Sequence, residues 1–247
     1  QCMAGRCMLT CRAPQVVCGA ECAELSRDPN HCGMCNRACP TGCFEGACAR
    51  IDTLEAGTYN NCARYTSGRV FCWGLHAASS TFAQGMLTAS GDAYGHRATP
   101  VQLLEPAGTP LEGVEELAMG SNRGCARLTG GQVRCWGYGV AMGAVSGLAS
   151  VTQISGREAN FCALGADGQV YCWDGQPRAA TAPALTAAVL LSMRATRVVA
   201  GGTFACALLT NRSVQCWGTG TSGQLGNGAS VNSLTTPVAV QGVTDAE

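Results

Sequence analysis

The chain has 247 residues, of which 18 are cysteine and 33 are glycine, and its 16 basic and 16 acidic residues cancel to a formal net charge of zero. This neutrality removes the electrostatic basis for nucleic acid or an anionic membrane surface as the main partner. An even and unusually high cysteine count is typical of disulfides in an oxidising compartment or of metal sites.

The first 50 residues differ in composition from the rest, because ten of the 18 cysteines lie there. A segment this short buries too little apolar surface to fold without crosslinks. We predict a disulfide-stapled module over residues 1–50, with a pairing that the spacing does not determine. Its cysteines are Cys2, Cys7, Cys11, Cys18, Cys22, Cys32, Cys35, Cys39, Cys43 and Cys48.

Metal binding is the alternative use of these cysteines, since the run CGMCNRACP (Cys32–Pro40) superficially looks like a cluster-binding segment. A cluster or zinc site would take four thiolates and leave six cysteines unexplained, so disulfides are favoured. The three histidines, His31, His76 and His96, are too separated to indicate zinc. We therefore predict no metal and no cofactor.

Part of this module has a family resemblance. The segment from Cys18 to Cys48 resembles a cysteine-rich module related to the stigma-specific-protein-like family, found in secreted and cell-surface proteins of some soil bacteria. The resemblance implies export and a spacer or adhesive role. It rests on Asp28, Pro29, Asn30, Cys32, Gly33, Cys35, Cys39, Pro40 and Cys48.

Targeting signals give little direct information. The longest mostly apolar stretch, Ala182–Met193, is too short for a bilayer, which takes roughly 20 residues. The sequence opens at Gln1 without a hydrophobic signal segment. We interpret it as a mature or trimmed exported chain, located outside the cell, at the cell surface or in the periplasm.

A unit with two cysteines ten positions apart occurs four times after residue 50. In every copy an alanine follows the first cysteine, a valine stands two before the second, and a tryptophan follows the second. The pairs are Cys62/Cys72, Cys125/Cys135, Cys162/Cys172 and Cys206/Cys216; the valines are Val70, Val133, Val170 and Val214; the tryptophans are Trp73, Trp136, Trp173 and Trp217.

This spacing predicts a β-hairpin closed by its own disulfide. With a three-residue loop made of a type I turn and one left-handed residue, positions i and i+10 lie opposite each other, within disulfide range. The left-handed position is glycine in three copies, at Gly68, Gly131 and Gly168. The fourth copy has Arg212 after Asn211, so we expect a strained or shifted turn there.

The two faces of each hairpin are both apolar. Strand alternation places Val70 and Cys72 on one face and Phe71 and Trp73 on the other. Such hairpins need neighbours in front and behind, as the radial stacking of blades provides. We predict a mainly β fold over residues 51–247, a β-propeller of four-stranded or shorter blades, with repeats at about 51–113, 114–150, 151–196 and 197–247.

The repeat also carries a family resemblance. Its order of apolar strand, glycine, Cys-Ala-Leu, turn, Val-x-Cys-Trp-Gly, Gly-Gln-Leu-Gly-Asn-Gly and Pro-Val resembles the regulator-of-chromosome-condensation β-propeller family, in the secreted bacterial branch with paired cysteines. Relatives in that family include a guanine-nucleotide exchange factor and a secreted β-lactamase inhibitor. The resemblance therefore implies protein binding.

Several departures from the family pattern stand out. The first copy holds a long stretch, 74–98, which we predict to be a loop, and the second and third copies lack the Gly-Gln-Leu-Gly run, which predicts short or absent outer strands. The family closes with typically about seven blades, and only four copies are visible. The tail GVTDAE resembles the entry to another copy. A longer polypeptide, a small closed ring and completion by another chain all remain open.

We expect a non-enzymatic extracellular or cell-surface binding or scaffold protein whose partner is a protein or a second copy. The alternative is a structural subunit of a surface layer, stalk or fibre. An enzyme or lectin acting on polysaccharide is disfavoured, because no catalytic motif appears and the pair Glu115-Glu116 is interpreted as solubilising an edge. An enzyme would have to depend on Asp92, His76 and His96 in the long loop.

Overall fold

A computed structural model describes residues 2–3, 6–7, 9–75, 96–137, 140–148, 150–173 and 194–246. The described residues form 21 short strands, and all pairings between them are antiparallel. Within these residues no helix could cross a bilayer. The predicted mainly β propeller architecture is confirmed.

Each of the four repeats forms one small twisted sheet, here called a blade, in which the central strands carry the paired cysteines. Blade 1 contains β7 (Ile51–Ala56), β8 (Asn60–Tyr65), β9 (Val70–Leu75) and β10 (His96–Gln102). Blade 2 contains β11 (Val114–Met119), β12 (Arg123–Leu128), β13 (Val133–Gly137) and β14 (Val140–Ala144).

Blade 3 has three strands among the described residues, and blade 4 has four. They are β15 (Val151–Arg157), β16 (Asn160–Gly165) and β17 (Val170–Trp173) in blade 3, and β18 (Ala195–Ala200), β19 (Phe204–Leu209), β20 (Val214–Gly218) and β21 (Ser233–Ala239) in blade 4. The outer strand of blade 2 has five residues, against seven in blades 1 and 4.

The N-terminal residues form three two-stranded ladders instead of a large sheet. Their strands are β1 (Cys2–Met3), β2 (Arg6–Cys7), β3 (Val16–Cys18), β4 (Glu21–Ala23), β5 (Cys43–Phe44) and β6 (Ala47–Cys48). This part adjoins blade 1 through the Ser67 hydroxyl, which donates to the Thr41 carbonyl at 3.1 Å. A predicted domain boundary near residue 50 remains a prediction.

The buried core lies between consecutive blades. Three clusters of apolar side chains each combine the cysteines and valine of one blade with the inner-strand residues and tryptophan of the next. In the first cluster Val70 and Cys72 of blade 1 share the core with Leu117 and Trp136 of blade 2. Every blade therefore buries its apolar faces only by stacking, as expected of repeat architectures.

Close stacking depends on glycine at the end of the inner strands. A Cβ on Gly57 would lie 1.8 Å from the Gly120 carbonyl oxygen, and one on Gly120 would lie 2.0 Å from the Glu158 carbonyl oxygen. The same loops are joined by backbone hydrogen bonds from Tyr59 to Ser121 and from Ser121 to Glu158, each 2.9 Å. The loop of each blade thus rests directly on the backbone of its neighbour.

Candidate binding face

The disulfides between the central strands stand at the register that the spacing requires. In every pair the two cysteines lie directly opposite each other, with Cα atoms 4.0–4.1 Å apart. A crosslink at this position ties the two middle strands of each blade together, and does not by itself join one blade to another. The bridges are Cys62–Cys72, Cys125–Cys135, Cys162–Cys172 and Cys206–Cys216.

Cys172 differs from the other second cysteines of the repeat in its surroundings. It is bonded to Cys162 as predicted, but it is only partly buried at the edge of its core cluster, whereas Cys72, Cys135 and Cys216 are buried. Each of those three lies opposite a residue of an outer strand. The described part of blade 3 ends at β17, so Cys172 has no such outer strand beside it there. The repeat pattern therefore predicts the disulfide of Cys172 correctly, but it does not predict that Cys172 is less buried than the second cysteine of the other three blades.

The tryptophans fill the space between blades. Trp136, Trp173 and Trp217 are buried, and each lies in the same core cluster as the disulfide of the preceding blade. The indole N–H groups of Trp136 and Trp173 are buried without a hydrogen-bond partner. These two rings therefore act as apolar packing groups, whose contact with sulfur is favourable.

The ends of the stack differ from its middle. Val70, Val133 and Val170 are almost completely buried, whereas Val214 in blade 4 and Trp73 in blade 1 are only half-buried. The structure places all these side chains on the blade faces, but the two end faces have no neighbouring blade among the described residues.

The tight turns use a left-handed residue at the predicted position. Gly68, Gly131 and Gly168 have φ of 77°, 79° and 79°. Arg212 has φ of 65°, and its N–H donates to the Leu209 carbonyl at 2.9 Å, the same turn bond as in the other copies. Of the two expected alternatives, a strained or a shifted fourth turn, the structure shows the strained one: this arginine adopts the left-handed conformation in unshifted register, at a cost of about 1–2 kcal/mol.

In the N-terminal part, four disulfides link cysteines 9–17 positions apart. They are Cys11–Cys22, Cys18–Cys35, Cys32–Cys43 and Cys39–Cys48. Cys2 and Cys7 are backbone partners of β1 and β2, and their side chains lie outside the described residues. Each of the first three bridges spans a cysteine of the next bridge, so pairing every cysteine with its nearest neighbour in sequence would have given the wrong connectivity.

The described residues contain one cluster with metal-ligand geometry, formed by Cys18, His31 and Cys35 with donor atoms within 4.8 Å of one another. Both sulfurs are committed to a mutual disulfide. The buried imidazole of His31 accepts from the Asn36 N–H at Nδ1 and so donates from Nε2 to Glu21, at 2.9 and 2.8 Å. The disulfide and the two hydrogen bonds of His31 therefore give this cluster a structural role in the N-terminal part.

The residues considered for an enzymatic loop lie largely outside the description. His76 and Asp92 are not among the described residues, and His96 is described only as the first residue of β10. The predicted loop 74–98 was too long at both ends, because residues 74 and 75 belong to β9 and residues 96–98 to β10. The rest of it, residues 76–95, lies outside the described residues.

The loops between the inner strand and the second strand of each blade lie at one end of the stack, which we call the loop face. In each blade the second strand begins beside the end of the third strand, so the loop before the second strand and the end of the third strand lie on this face. The loops are 57–59, 120–122, 158–159 and 201–203, and the strand ends are Leu75, Gly137, Trp173 and Gly218. Tyr59 and Val231 are exposed there. The long segments 76–95 and 174–193 follow two of these strand ends.

Side-chain amides reinforce this face. Asn160 donates through Nδ2 to the carbonyls of Gly201 and Phe204, both at 3.0 Å. Asn60 occupies the equivalent position in blade 1, is completely buried, and bonds to the backbone of blade 2. Sequence comparison among the four copies could have found these two asparagines, since each stands two residues before a first cysteine.

A polar cavity of about 230 Å³ lies beside the inner strands of blades 1, 2 and 3. It is lined by Thr53, Glu55, Glu115, Glu116 and Ser155, together with apolar residues of β11 and β15. Burial raises the pKa of Glu55, and the negative charge of Glu116 raises it further. A hydrogen bond from Arg127 lowers the pKa of Glu115.

The acidic pair in this cavity corrects a sequence interpretation. Glu116 accepts from Arg127 Nε at 3.1 Å and from the Ile154 N–H of blade 3 at 2.9 Å. Glu116 therefore does not merely solubilise an edge: it satisfies a backbone donor of the next blade. Gln153 does the same one blade later, accepting from the Val198 N–H at 2.9 Å and donating to its carbonyl at 3.0 Å.

Comparison with known proteins supports the architecture. Residues 195–224 match the regulator of chromosome condensation (RCC1) repeat. No curated protein sequence matches the chain. The matched segment covers the inner strand, the cysteine hairpin and the start of the Gly-Gln-Leu-Gly loop of blade 4.

Two solved structures share the fold. Human WBSCR16 is 17% identical with a TM-score of 0.59, over 86% of this chain and 61% of that protein. Yeast RCC1 (Prp20), solved with Kap60, is 18% identical with a TM-score of 0.58, over 79% of this chain and 49% of that protein. The chain thus spans less than two thirds of either relative. It is an RCC1-like propeller, and this likeness establishes its fold alone.

Proposed function

We propose that the protein is a non-enzymatic binding or scaffold protein of an exported compartment, which uses the loop face of its disulfide-stapled propeller to hold a protein partner. The observation that carries this proposal is the loop face itself: inner-strand loops bonded from blade to blade, with the exposed side chains of Tyr59 and Val231 beside them. Binding residues commonly lie on loops that a rigid scaffold positions.

The structural use of the polar groups favours a binding role over a catalytic one. Glu115 and Glu116 are held by Arg127, and Glu116 also accepts a backbone N–H of blade 3. A general base has to be available to the substrate proton that it abstracts. Yeast RCC1, which shares the fold, was solved bound to a protein, Kap60.

An exported location is supported by the disulfides. Every cysteine whose side chain is described is paired, and three of the four hairpin pairs are packed between blades. Thiol titration of the unreduced protein in denaturant should find close to none of the 18 cysteines reactive. Reaction of most of them would contradict an oxidising compartment.

Partner binding is tested at Tyr59, which is 60% exposed on the loop face. Tyr59→Ala should lower affinity for a protein captured from the extracellular fraction of the source cells by roughly tenfold or more, because tyrosines are frequent binding hot spots. Phe44→Ala is the matched control, since Phe44 is 45% exposed in the N-terminal part. Equal affinity of both variants, or loss with the control only, would refute this face as the site.

A further inference from the structure

The cluster of Cys18, His31 and Cys35 holds more than the disulfide that joins its two sulfurs. The donor atoms of the three side chains all lie within 4.8 Å of one another. This is close to the separation of two ligands on one zinc ion, whose bonds are about 2.0–2.3 Å long. Metal binding takes thiolates, and both sulfurs are joined in the Cys18–Cys35 bridge. The redox state of this bridge therefore decides whether the cluster is a crosslink or a set of three ligands.

Hydrogen bonds already hold the ring of His31 in the state that a metal ligand needs. The Asn36 N–H donates to Nδ1 at 2.9 Å, so Nδ1 carries the lone pair and Nε2–H donates to Glu21 at 2.8 Å. A carboxylate on the other ring nitrogen is the common partner of a zinc-bound histidine. Asn36 directly follows Cys35 and is exposed, so water can accept its N–H when a metal occupies Nδ1.

The Cys18–Cys35 bridge is accessible to a small reductant from one side. Cys35 is accessible to solvent, whereas Cys18 is only 4% exposed. Cys32, Cys39 and Cys43 form a buried cluster of their own, to which Cys18 and Cys35 do not belong. Thiol–disulfide exchange depends on access to the attacked sulfur. A dithiol should therefore open the Cys18–Cys35 bridge before the bridges of the buried cluster.

Two neighbouring bridges keep the three donors together when this one is open. Cys11–Cys22 anchors β4, which forms a ladder with β3, the strand that carries Cys18. Cys32–Cys43 anchors the loop 31–37, which is closed by a hydrogen bond from the Cys32 N–H to the Arg37 carbonyl at 3.0 Å. The ligands of the reduced cluster are therefore held in place before a metal arrives.

We infer that reduction of the Cys18–Cys35 bridge creates a zinc site, whose protein ligands are Cys18 Sγ, Cys35 Sγ and His31 Nδ1. A dithiol supplies two electrons and two protons: its own sulfurs join in a disulfide, and the Cys18–Cys35 bond is converted into two thiols. Zinc then displaces both thiol protons, which leave to solvent. The two thiolates neutralise the charge of the ion, and the fourth position of a tetrahedral site stays open to water.

The two uses of cysteine that the sequence leaves to be weighed, disulfide and metal ligand, thus belong to one pair in two redox states. Thiolate and imidazole ligands select zinc over calcium or magnesium, which take oxygen ligands. In an oxidising compartment the bridge is closed and the N-terminal part binds no zinc through it. The inference involves no residue of the loop face and holds whether or not that face binds a partner.

The first measurement identifies the bridge that opens and the metal that follows. The full chain is treated with limiting dithiothreitol, free thiols are alkylated, and the labelled cysteines are located by peptide mass. We expect two thiols per chain, at Cys18 and Cys35. Zinc added after removal of the reductant should bind at one ion per chain and protect both thiols from alkylation. The unreduced chain should bind no zinc at the same concentration.

Variants test whether the imidazole is a ligand. In the reduced chain, Glu21→Gln should weaken zinc binding by about 10–100-fold, the usual effect of losing the carboxylate partner of a ligating histidine, and His31→Ala by more than that. Glu24→Gln is the matched control, because Glu24 lies in the same part of the chain and accepts from the Ser26 hydroxyl at 3.0 Å. This control should bind zinc as the wild type does.

The fold of each variant is checked before reduction, by circular dichroism and by the absence of reactive thiols. If His31→Ala fails this check, the comparison of Glu21→Gln with Glu24→Gln decides. The inference is overturned if another bridge opens first, if reduced Cys18 and Cys35 bind no zinc, or if Glu21→Gln binds zinc as tightly as Glu24→Gln. None of these outcomes changes the expected effect of Tyr59→Ala on partner binding.

Discussion

The hairpin disulfides allow chain entropy to be separated from packing. Cys125–Cys135 is packed between blades 2 and 3 with both sulfurs completely buried, whereas Cys206–Cys216 lies in blade 4 and its Cys206 is only half-buried. Both pairs have a sequence separation of 10. The chain-entropy model assigns about 2.7 kcal/mol to a loop of that length. This contribution is the same for both pairs, so any difference reports their surroundings.

Replacing both cysteines of a pair by alanine should therefore have unequal effects. Cys125→Ala/Cys135→Ala also removes two completely buried sulfur atoms next to Trp173, which adds about 1 kcal/mol each for lost transfer energy and cavity formation. We expect a loss of about 5 kcal/mol for this variant and about 4 kcal/mol for Cys206→Ala/Cys216→Ala, because Cys216 is buried and Cys206 is only half-buried.

The measurement is urea unfolding of the unreduced variants, followed by tryptophan fluorescence and by circular dichroism. Coincident transitions in both probes are needed for the free energies to be comparable. Equal losses in the two variants would refute the packing of sulfur against the next blade. A negligible loss for the pair in blade 4 would refute the chain-entropy contribution.

Two further predictions concern a turn and the acidic cavity. Gly131→Ala should destabilise the protein in urea unfolding by at least about 1 kcal/mol more than Gly130→Ala. Both residues have positive φ, but only a Cβ at residue 131 meets a backbone nitrogen of the next blade, at 2.5 Å, while the space at residue 130 is open. Equal losses of stability in the two variants would contradict the close approach of the two blades at Gly131. Because the pKa of Glu55 is raised, its favourable contribution to the free energy of unfolding is present below the ordinary value of 4.5 and is lost as pH rises through the raised value. Glu55→Gln should therefore stabilise the protein at pH 7 and have little effect at pH 3. The pKa of Glu115 is shifted in the opposite direction, so its favourable contribution is present above 4.5 and is lost as pH falls through the lowered value. Glu115→Gln should therefore destabilise the protein at pH 7, and this loss should shrink as pH falls through the lowered value. Effects of the same sign for Glu55→Gln and Glu115→Gln at pH 7 would contradict these assignments.

The local geometry of each blade could be predicted because it depends on short-range spacing. Two cysteines ten positions apart and a left-handed residue at the turn define the register of β8 with β9 without reference to the rest of the chain. Arg212 shows the limit of this reasoning. Its side chain predicts a strained or a shifted turn, and the sequence does not decide between them; the turn keeps the shared register, with the Ala246 N–H bonded to the Arg212 carbonyl, at a local cost of about 1–2 kcal/mol.

The contacts between blades could not be predicted in the same way. Glu116 bonds to a backbone group 38 residues away, and Asn160 to one 44 residues away. A single sequence contains no record of such pairs, and a carboxylate on a strand edge is ordinarily solvated. The disulfide pairing of the N-terminal part could not be predicted for a related reason. Bridges that overlap in sequence, such as Cys32–Cys43 and Cys39–Cys48, leave no pattern in the spacing of the cysteines.

Each hairpin disulfide stabilises a single blade, but the stability of the four-blade stack depends on the apolar clusters between consecutive blades. Trp136, Trp173 and Trp217 each pack in one cluster with the cysteines of the preceding blade, so loss of one of those disulfides weakens both its own hairpin and the next blade. In a linear stack this coupling passes only between neighbours.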